Sequence, residues 1–541
     1  MAEPIWTGRP ASIRSSNAFT CIIDQILRRH APARSHVARI ADETGRHQST
    51  ATEEGMPASR NPVVFVHGYS DKGASWGPWR EIFRQRLGVG DALMRTCTYV
   101  SLDNQITIKD IAEAFDRALA AQGGLAADEP FDAVVHSTGM LVVRAWLAAD
   151  PLRIRRLKRL IAFAPATFGS PLAKQGRSWL GAVFKGNKEL GPDFLEAGDE
   201  ILLELELGSR FTWRLAEEDF FADPPRYDAG PDTPFVFVFC GTGTYGGLRK
   251  IVDKPGTDGT VRRAGCGMNV RAIALDMTQS GMVARRQSPA LAAVPRVSPE
   301  DRLIVNKWLN VSIPVHLVGD PAKGEDVNHA TILSNPVAEL VDLVVDAFDM
   351  TDPATAPGGD PVAGYDAWLA KAGAETRFRR LSQQYQQFVV HAVDERGDPI
   401  TDYNLQIHLS DGTRAPIEEF DADVDVYSGD ASYRCFHVDV AKLLPRPGQP
   451  APGLTINIVA SSGTTYVAYL GYGYETQVEP GSWDASLTFN SAALAAIAFF
   501  RPYTTTMIRL YIERQVMPAD PRQPGILLTW DLPDADATPM V

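Results

Sequence analysis

Cysteine is scarce in this chain. Five residues in 541 (Cys21, Cys97, Cys240, Cys266 and Cys435) are widely spaced and never form a Cys-x-x-Cys pair. That argues against a disulfide framework and against a zinc knuckle. An excess of positive charge is also missing. Lys and Arg number 53 against 66 Asp and Glu, a net charge of −13. This disfavours a long nucleic-acid backbone as partner, because phosphate binding needs a basic face. No apolar run reaches the ~18 residues a membrane-spanning helix needs. No charged stretch leading into an unbroken apolar run opens the sequence, as a secretory signal would require. The expected location is cytoplasmic, or outside the cell by an export route that uses no cleavable signal peptide. Repeats and low-complexity tracts are absent as well.

What is present is ample apolar material. Hydrophobic residues make up 45% and charged residues 22% of the chain, enough for large cores. At about 100–200 residues per domain, two to four structural units are expected. Residues 1–60 read as a helical or irregular extension. In it Phe19, Ile22, Ile23, Ile26 and Leu27 share one helical face. From residue 61 to about 350, short apolar runs alternate with amphipathic stretches. Strands are expected at 62–66, 93–100, 131–135, 160–164, 234–240 and 313–319, with a last helix over 336–348. This alternation predicts an α/β domain with a mostly parallel sheet. An apolar insertion at about 170–230 interrupts it and is expected to form a helical cap. The Pro/Gly-rich stretch 351–365 reads as a linker. A helix over 366–384 is expected next, followed by period-two patterning at 387–393, 403–409, 434–440, 453–460, 464–470, 485–489 and 504–513. About seven such strands predict an all-β sandwich over 366–541.

The segment from Phe131 to Trp146 carries the strongest chemical signal. A buried strand over 131–135 ends, Ser137 follows, and a helix over 138–149 begins at once, with Gly139 two residues past the serine. A serine on so sharp a turn is held with its hydroxyl above the sheet. The free N–H groups and positive end of the helix behind it would stabilise an oxyanion. A second strand, Val63–Val66, runs into His67, Gly68 and Tyr69. Of ten histidines, His329 lies in a loop before the final helix of the α/β region, whereas His316 sits inside an apolar strand and reads as structural. Asp258 stands in an Asp-Gly-x-Val turn and is the preferred acid, with Asp320 as its rival and Asp326 behind both. The glycine-rich Gly241–Gly247 stretch lacks the spacings of a phosphate loop and reads as a plain loop.

These motifs resemble those of the α/β-hydrolases, in particular serine lipases and esterases, over roughly residues 61–348. The serine turn is similar to their glycine-x-serine-x-glycine elbow, with Val135 in place of the first glycine. The resemblance implies an α/β-hydrolase sheet with a cap and hydrolysis of a carboxylic ester through an acyl-enzyme. It further implies Ser137 as nucleophile, His329 as base and Asp258 as its orienting acid. The backbone N–H groups of Tyr69 and Thr138 would form the oxyanion hole, where losing one donor costs roughly 3–4 kcal/mol. Such chemistry requires no cofactor and no metal. The apolar cap favours a lipid substrate, because each buried methylene contributes about 0.8 kcal/mol. Phe184, Leu202, Leu205 and Trp213 are its candidate acyl contacts. The alternatives are a phospholipase acting as a secreted antibacterial effector, an inactive hydrolase-fold adaptor, and an acyl transferase. Peripheral membrane contact and a protein partner on the C-terminal β domain are also expected. In that domain Asp421, Asp423 and Asp425 alternate, which puts them on one face of a strand. A solvated edge is the preferred reading and a calcium site the other.

Overall fold

Three apolar runs and the mixed, half-buried segment Met94–Cys97 in the first half of the chain become adjacent strands: β1 (Val63–Val66), β2 (Met94–Cys97), β3 (Phe131–His136) and β4 (Leu157–Phe163). They are joined by β5 (Phe235–Gly241) and, after β6 (Val270–Asp276) and β7 (Leu303–Trp308) have left for another sheet, by β8 (Val315–Val318). All pairings are parallel and the order is β2-β1-β3-β4-β5-β8. The computed structural model describes residues 60–69, 71, 73–175, 198–228, 232–245, 254–308, 313–378, 381, 383–409, 423–443, 453–472, 482–518 and 525–526. The expected helix near Phe19, and the candidates Phe184 and Asp421, lie outside these residues.

The helices follow from their apolar faces. Helix Gly77–Leu87 buries Trp79, Phe83 and Leu87, and helix Ile108–Ala121 buries Ile108, Ile111, Ala112, Phe115 and Leu119. Thr107 and Asp110 close a capping box at the start of the second, satisfying two backbone donors at once. Helix Gly139–Ala149 lies deeper and is apolar nearly all round. The strand order reverses between β1 and β3, and the loops leaving those two strands meet there. In open α/β sheets this is where ligands bind.

A second set of sheets covers the cap side. β9 (Tyr385–Asp394), β10 (Tyr403–Leu409), β11 (Val424–Val426), β12 (Tyr433–Asp439), β13 (Leu454–Ser461), β14 (Val467–Leu470), β15 (Ser482–Phe489) and β16 (Thr505–Val516) follow in sequence. β10, β13 and β15 form a three-stranded sheet. The other five combine with β6 and β7 into a seven-stranded sheet, in which β16 lies parallel to both β6 and β9. Ile273, Leu275, Phe388, Val390 and Leu510 from the larger sheet share a core with Leu405, Ile407, Ile456 and Leu487 from the smaller one. The β6–β7 segment falls within 61–350 by sequence, yet its hydrogen bonds go to the C-terminal strand β16. The two halves of the chain are thus stitched together.

The stretch expected to be a linker is folded onto the first sheet. Asp360 caps helix Pro361–Ala372 by accepting from Val362 and Ala363 N–H, with Pro361 in the first turn. That helix buries Tyr365 and Trp368. The Tyr365 hydroxyl donates to Val236 O at 2.7 Å, and Trp368 stands edge-on to Phe237 and His316, each at 4.6 Å. The proline and glycine content belongs to a helix start, and the apolar face behind it overrides the loop-like composition.

Candidate active site

Ser137 follows β3 directly with φ +53°, the left-handed region that a side-chain-bearing residue adopts only under local constraint. Three backbone bonds supply the constraint. Ser137 N donates to Phe163 O at 3.1 Å, and its carbonyl accepts from Met140 N and Ala166 N. Val135, the departure from the glycine pattern, is accommodated as an ordinary sheet residue between Val66 and Ala162. Gly139 is the position that tolerates no side chain: a Cβ there would lie 2.6 Å from Val66 O and 2.8 Å from His67 O. The elbow and the end of β1 therefore press together.

The turn after β1 is fixed by His67 and Tyr99. His67 donates from Nδ1 to Gly68 O at 2.6 Å and accepts at Nε2 from Tyr99 N–H at 3.2 Å. The Tyr99 ring stacks on the imidazole at 4.3 Å, and its hydroxyl donates to His67 O. Burial is the main cause that lowers the His67 pKa, so the ring is neutral, as an accepting Nε2 requires. This holds Gly68 against the serine, with a Cβ built on Gly68 only 2.9 Å from Ser137 Cβ. Tyr69 and Thr138, expected as the oxyanion donors, are both buried beside this contact. Tyr99 was not singled out from the sequence. Its role depends on a stacking partner 32 positions away.

His329 and Asp258 meet as expected. His329 Nδ1 lies 2.9 Å from Asp258 Oδ2, and neither side chain is exposed. The other carboxylate oxygen accepts from Thr260 N at 3.0 Å and Val261 N at 2.9 Å, and Asp258 O accepts from His329 N–H. Burial by itself would raise the Asp258 pKa. His329 and the Val261 and Thr260 N–H groups outweigh it and hold the carboxyl below the usual range. Against the serine side, His136 Nε2 donates to His329 O at 3.0 Å, and the two imidazole rings are 4.6 Å apart. The residue before Ser137 is therefore in contact with His329. The rival acids are elsewhere. Asp320 caps a short turn by accepting from Ala322 N and pairs with Lys323, and Asp326 is exposed. The glycine stretch after β5 backs the histidine loop through Gly243 N donating to Val327 O at 2.7 Å.

The cap is represented by helices Asp199–Leu205 and Arg210–Asp219. It is tied to the helix behind Ser137 by a bidentate, fully buried pair, Arg144 with Asp219 at 2.7 and 2.9 Å. Leu202 and Leu205 are buried in the same core as Phe65, Val134 and Phe163 of the parallel sheet. Trp213, expected as an acyl contact, instead stands against His391 and Tyr433 at 5.5 and 5.9 Å. It packs at the seam between cap and β sheets. Asp423 and Asp425, expected on a solvated edge, face Arg262 at 3.3 and 3.4 Å, and Asp425 also pairs with Lys254 at 2.6 Å. Their partners are protein cations. Among the described residues, no group of three or more His, Cys, Asp or Glu side chains could hold a metal ion.

No protein-family model matches the chain, and no curated protein matches it. Solved structures do. Phospholipase PlaB from Legionella pneumophila is similar at TM-score 0.62 and 19% identity, covering 86% of this chain and 98% of that one. The same protein in complex with thio-NAD matches at TM-score 0.59 and 19% identity, covering 86% and 97%. The mature form of Bacillus licheniformis lipase BlEst2 matches at TM-score 0.28 and 17% identity, over 39% of this chain and 81% of that one. The parallel sheet, the strained serine after β3 and the match to PlaB over 86% of this chain together give this chain an α/β-hydrolase fold with an additional β region.

Proposed function

We propose that the chain is a serine carboxylic ester hydrolase acting on lipid acyl esters. The observation that carries this reading is the buried Asp258–His329 pair lying against the residue that precedes Ser137. Ser137 Oγ attacks the ester carbonyl, and His329 Nε2 takes its proton and returns it to the leaving alcohol. Asp258 holds the Nδ1–H tautomer and stabilises the imidazolium that forms. The carbonyl oxygen, now anionic, accepts from the backbone N–H groups of Tyr69 and Thr138. The Gly68–Ser137 approach supports this, because it brings the β1 turn to the serine. Water then repeats the sequence on the acyl-enzyme and releases the acid.

The substrate class follows from two considerations. The cap insertion carries apolar helical faces that pack into the core beside the sheet, and an apolar cap of this kind favours an extended acyl chain. A similar structure that matches over 86% of this chain is called a phospholipase, so a glycerophospholipid is the first substrate to test. Among the described residues no helix is long and apolar enough to cross a membrane. A panel of p-nitrophenyl esters from acetyl to palmitoyl, triglycerides and phospholipids in mixed micelles tests the reading. We expect ester cleavage that Ser137→Ala abolishes, with phospholipid among the substrates. Cleavage of none of these esters would overturn it.

A further inference from the structure

We propose that Arg262 is a positioning residue for the Asp258–His329 pair, held in place by Asp423, Asp425 and His437 of the β region. Arg262 matters in this way only if Ser137, His329 and Asp258 carry the chemistry as proposed.

Asp258 sits at the tip of a short loop whose stems are paired. Thr257, the residue before it, bridges to Arg262, and Arg263 N donates to Gly256 O at 2.9 Å. Each stem ends in a cation, and both cations end on one carboxylate. Lys254 Nζ lies 2.6 Å from Asp425 Oδ1, and Arg262 Nη2 lies 3.4 Å from Asp425 Oδ2. Arg262 makes three further contacts: Asp423 at 3.3 Å, His437 Nδ1 at 3.1 Å and Pro255 O at 2.8 Å. Its side chain is wholly buried, while the two carboxylates keep limited access to water. Only a planar fork of donors reaches four acceptors arranged this way, which an ammonium cannot do.

The frame is rigid on the β side. Asp425 lies in β11, which pairs with β12, and Asp423 O accepts from His437 N–H just beyond that pairing. His437 lies in β12 and stacks on Tyr385 of β9 at 4.4 Å and 12°. His437 accepts from Arg262, so it must be neutral. Its burial and the neighbouring Arg262 hold its pKa well below the ordinary value. The loop also touches the stack, because a Cβ on Gly256 would come within 2.6 Å of His437. The same hairpin reaches the cap. Lys174 Nζ donates to Val426 O at 2.8 Å, and Glu206 accepts from Ser428 N–H at 2.8 Å. The β region thus sets the reach of the catalytic acid and anchors the cap beside it.

The test is a double-mutant cycle on the full chain, read by kcat and KM on a p-nitrophenyl ester and by the rate of fluorophosphonate labelling. Arg262→Met should lower kcat by about 10²-fold, the loss typical of a misplacement near 1 Å, with KM little changed. Arg262→Lys should recover part of it. In an Asp258→Asn background, Arg262→Met should cost nothing more, because it acts through the lost group. A full additional loss in that background would overturn the proposal and leave Arg262 a general stabiliser. If Arg262→Met does not fold, the near-isosteric Asp423→Asn, Asp425→Asn pair decides, with the same expected non-additivity and the same overturning result. Retained hydrolysis in Ser137→Ala would instead defeat the underlying reading, whatever Arg262 does.

Discussion

His329 and Asp258, 71 positions apart, share a 2.9 Å contact that is closed to solvent on both sides. Asp258 also accepts two backbone N–H groups on its other oxygen, so its carboxylate is held independently of the imidazole. Asp258→Asn should therefore leave the loop in place and favour the wrong imidazole tautomer. We expect turnover to fall by up to about 10⁴-fold. Asp320→Asn, in its solvent-facing turn, should leave turnover unchanged. Parallel kcat measurements on the two variants check this, and an equal loss in both would move the orienting acid away from Asp258.

The approach of the elbow to β1 gives predictions of different size at two helix-start glycines. Alanine at Gly77 meets no atom within 4 Å beyond its chain neighbours, and the gain through the unfolded chain is offset by Pro78, which disfavours a Cβ-bearing residue in the helical conformation before it, so little net change is expected. Alanine at Gly139 meets two backbone carbonyls that cannot swing away. Overpacking of about 1–3 kcal/mol outweighs the helix-propensity gain. Denaturant unfolding of both variants measures the difference, and stabilisation by Gly139→Ala would contradict the packing at the elbow.

The Arg144–Asp219 pair joins the elbow helix to the cap with no water access. Removing one partner leaves a buried charge, and Asp219→Ala should cost about 3–5 kcal/mol. Replacing Arg144 by Met in the same chain should recover only part, because the Tyr227 hydroxyl and Phe220 N–H also lose the carboxylate. Urea midpoints of the single and double variants report this directly.

Several histidines are neutral because they are buried. Burial lowers His136 and His316 to about 3 and His391 to about 4, from an ordinary 6.5. The folded values lie below the unfolded one, so the unfolded chain takes up protons first as pH falls. Their stabilising contribution is complete above pH 6.5 and is lost progressively as pH drops toward those folded values. Each contributes a slope of about 1.4 kcal/mol per pH unit across the window. His316→Leu should remove one such slope in unfolding measured from pH 6.5 to 4. An unchanged slope would mean that His316 is already charged when folded.

Much of this was legible in local patterns. Strand β10 runs from Tyr403 to Leu409 as its alternation predicts, and Ser137, Asp258 and His329 stand in the expected order on the expected loops. What escaped is non-local. β6 is held in its sheet by β16, 235 positions away at Arg271 and Thr506. Asp423 and Asp425 look like an edge strand's charges until Arg262, 161 and 163 positions earlier, arrives opposite them. The supposed linker failed for a different reason. Its Asp360-Pro361 step is a helix start, and Tyr365, Trp368 and Leu369 repeat at helical spacing, a signal that composition concealed.

The central claim is that Ser137 is the activated nucleophile of an esterase. Incubation of the purified chain with a fluorophosphonate, followed by peptide mass spectrometry, tests it most directly. The account predicts one covalent adduct, on Ser137, formed in step with loss of esterase activity and absent from Ser137→Ala. Stoichiometric labelling at another serine, or an intact and inert Ser137 in a chain that still hydrolyses esters, would contradict it.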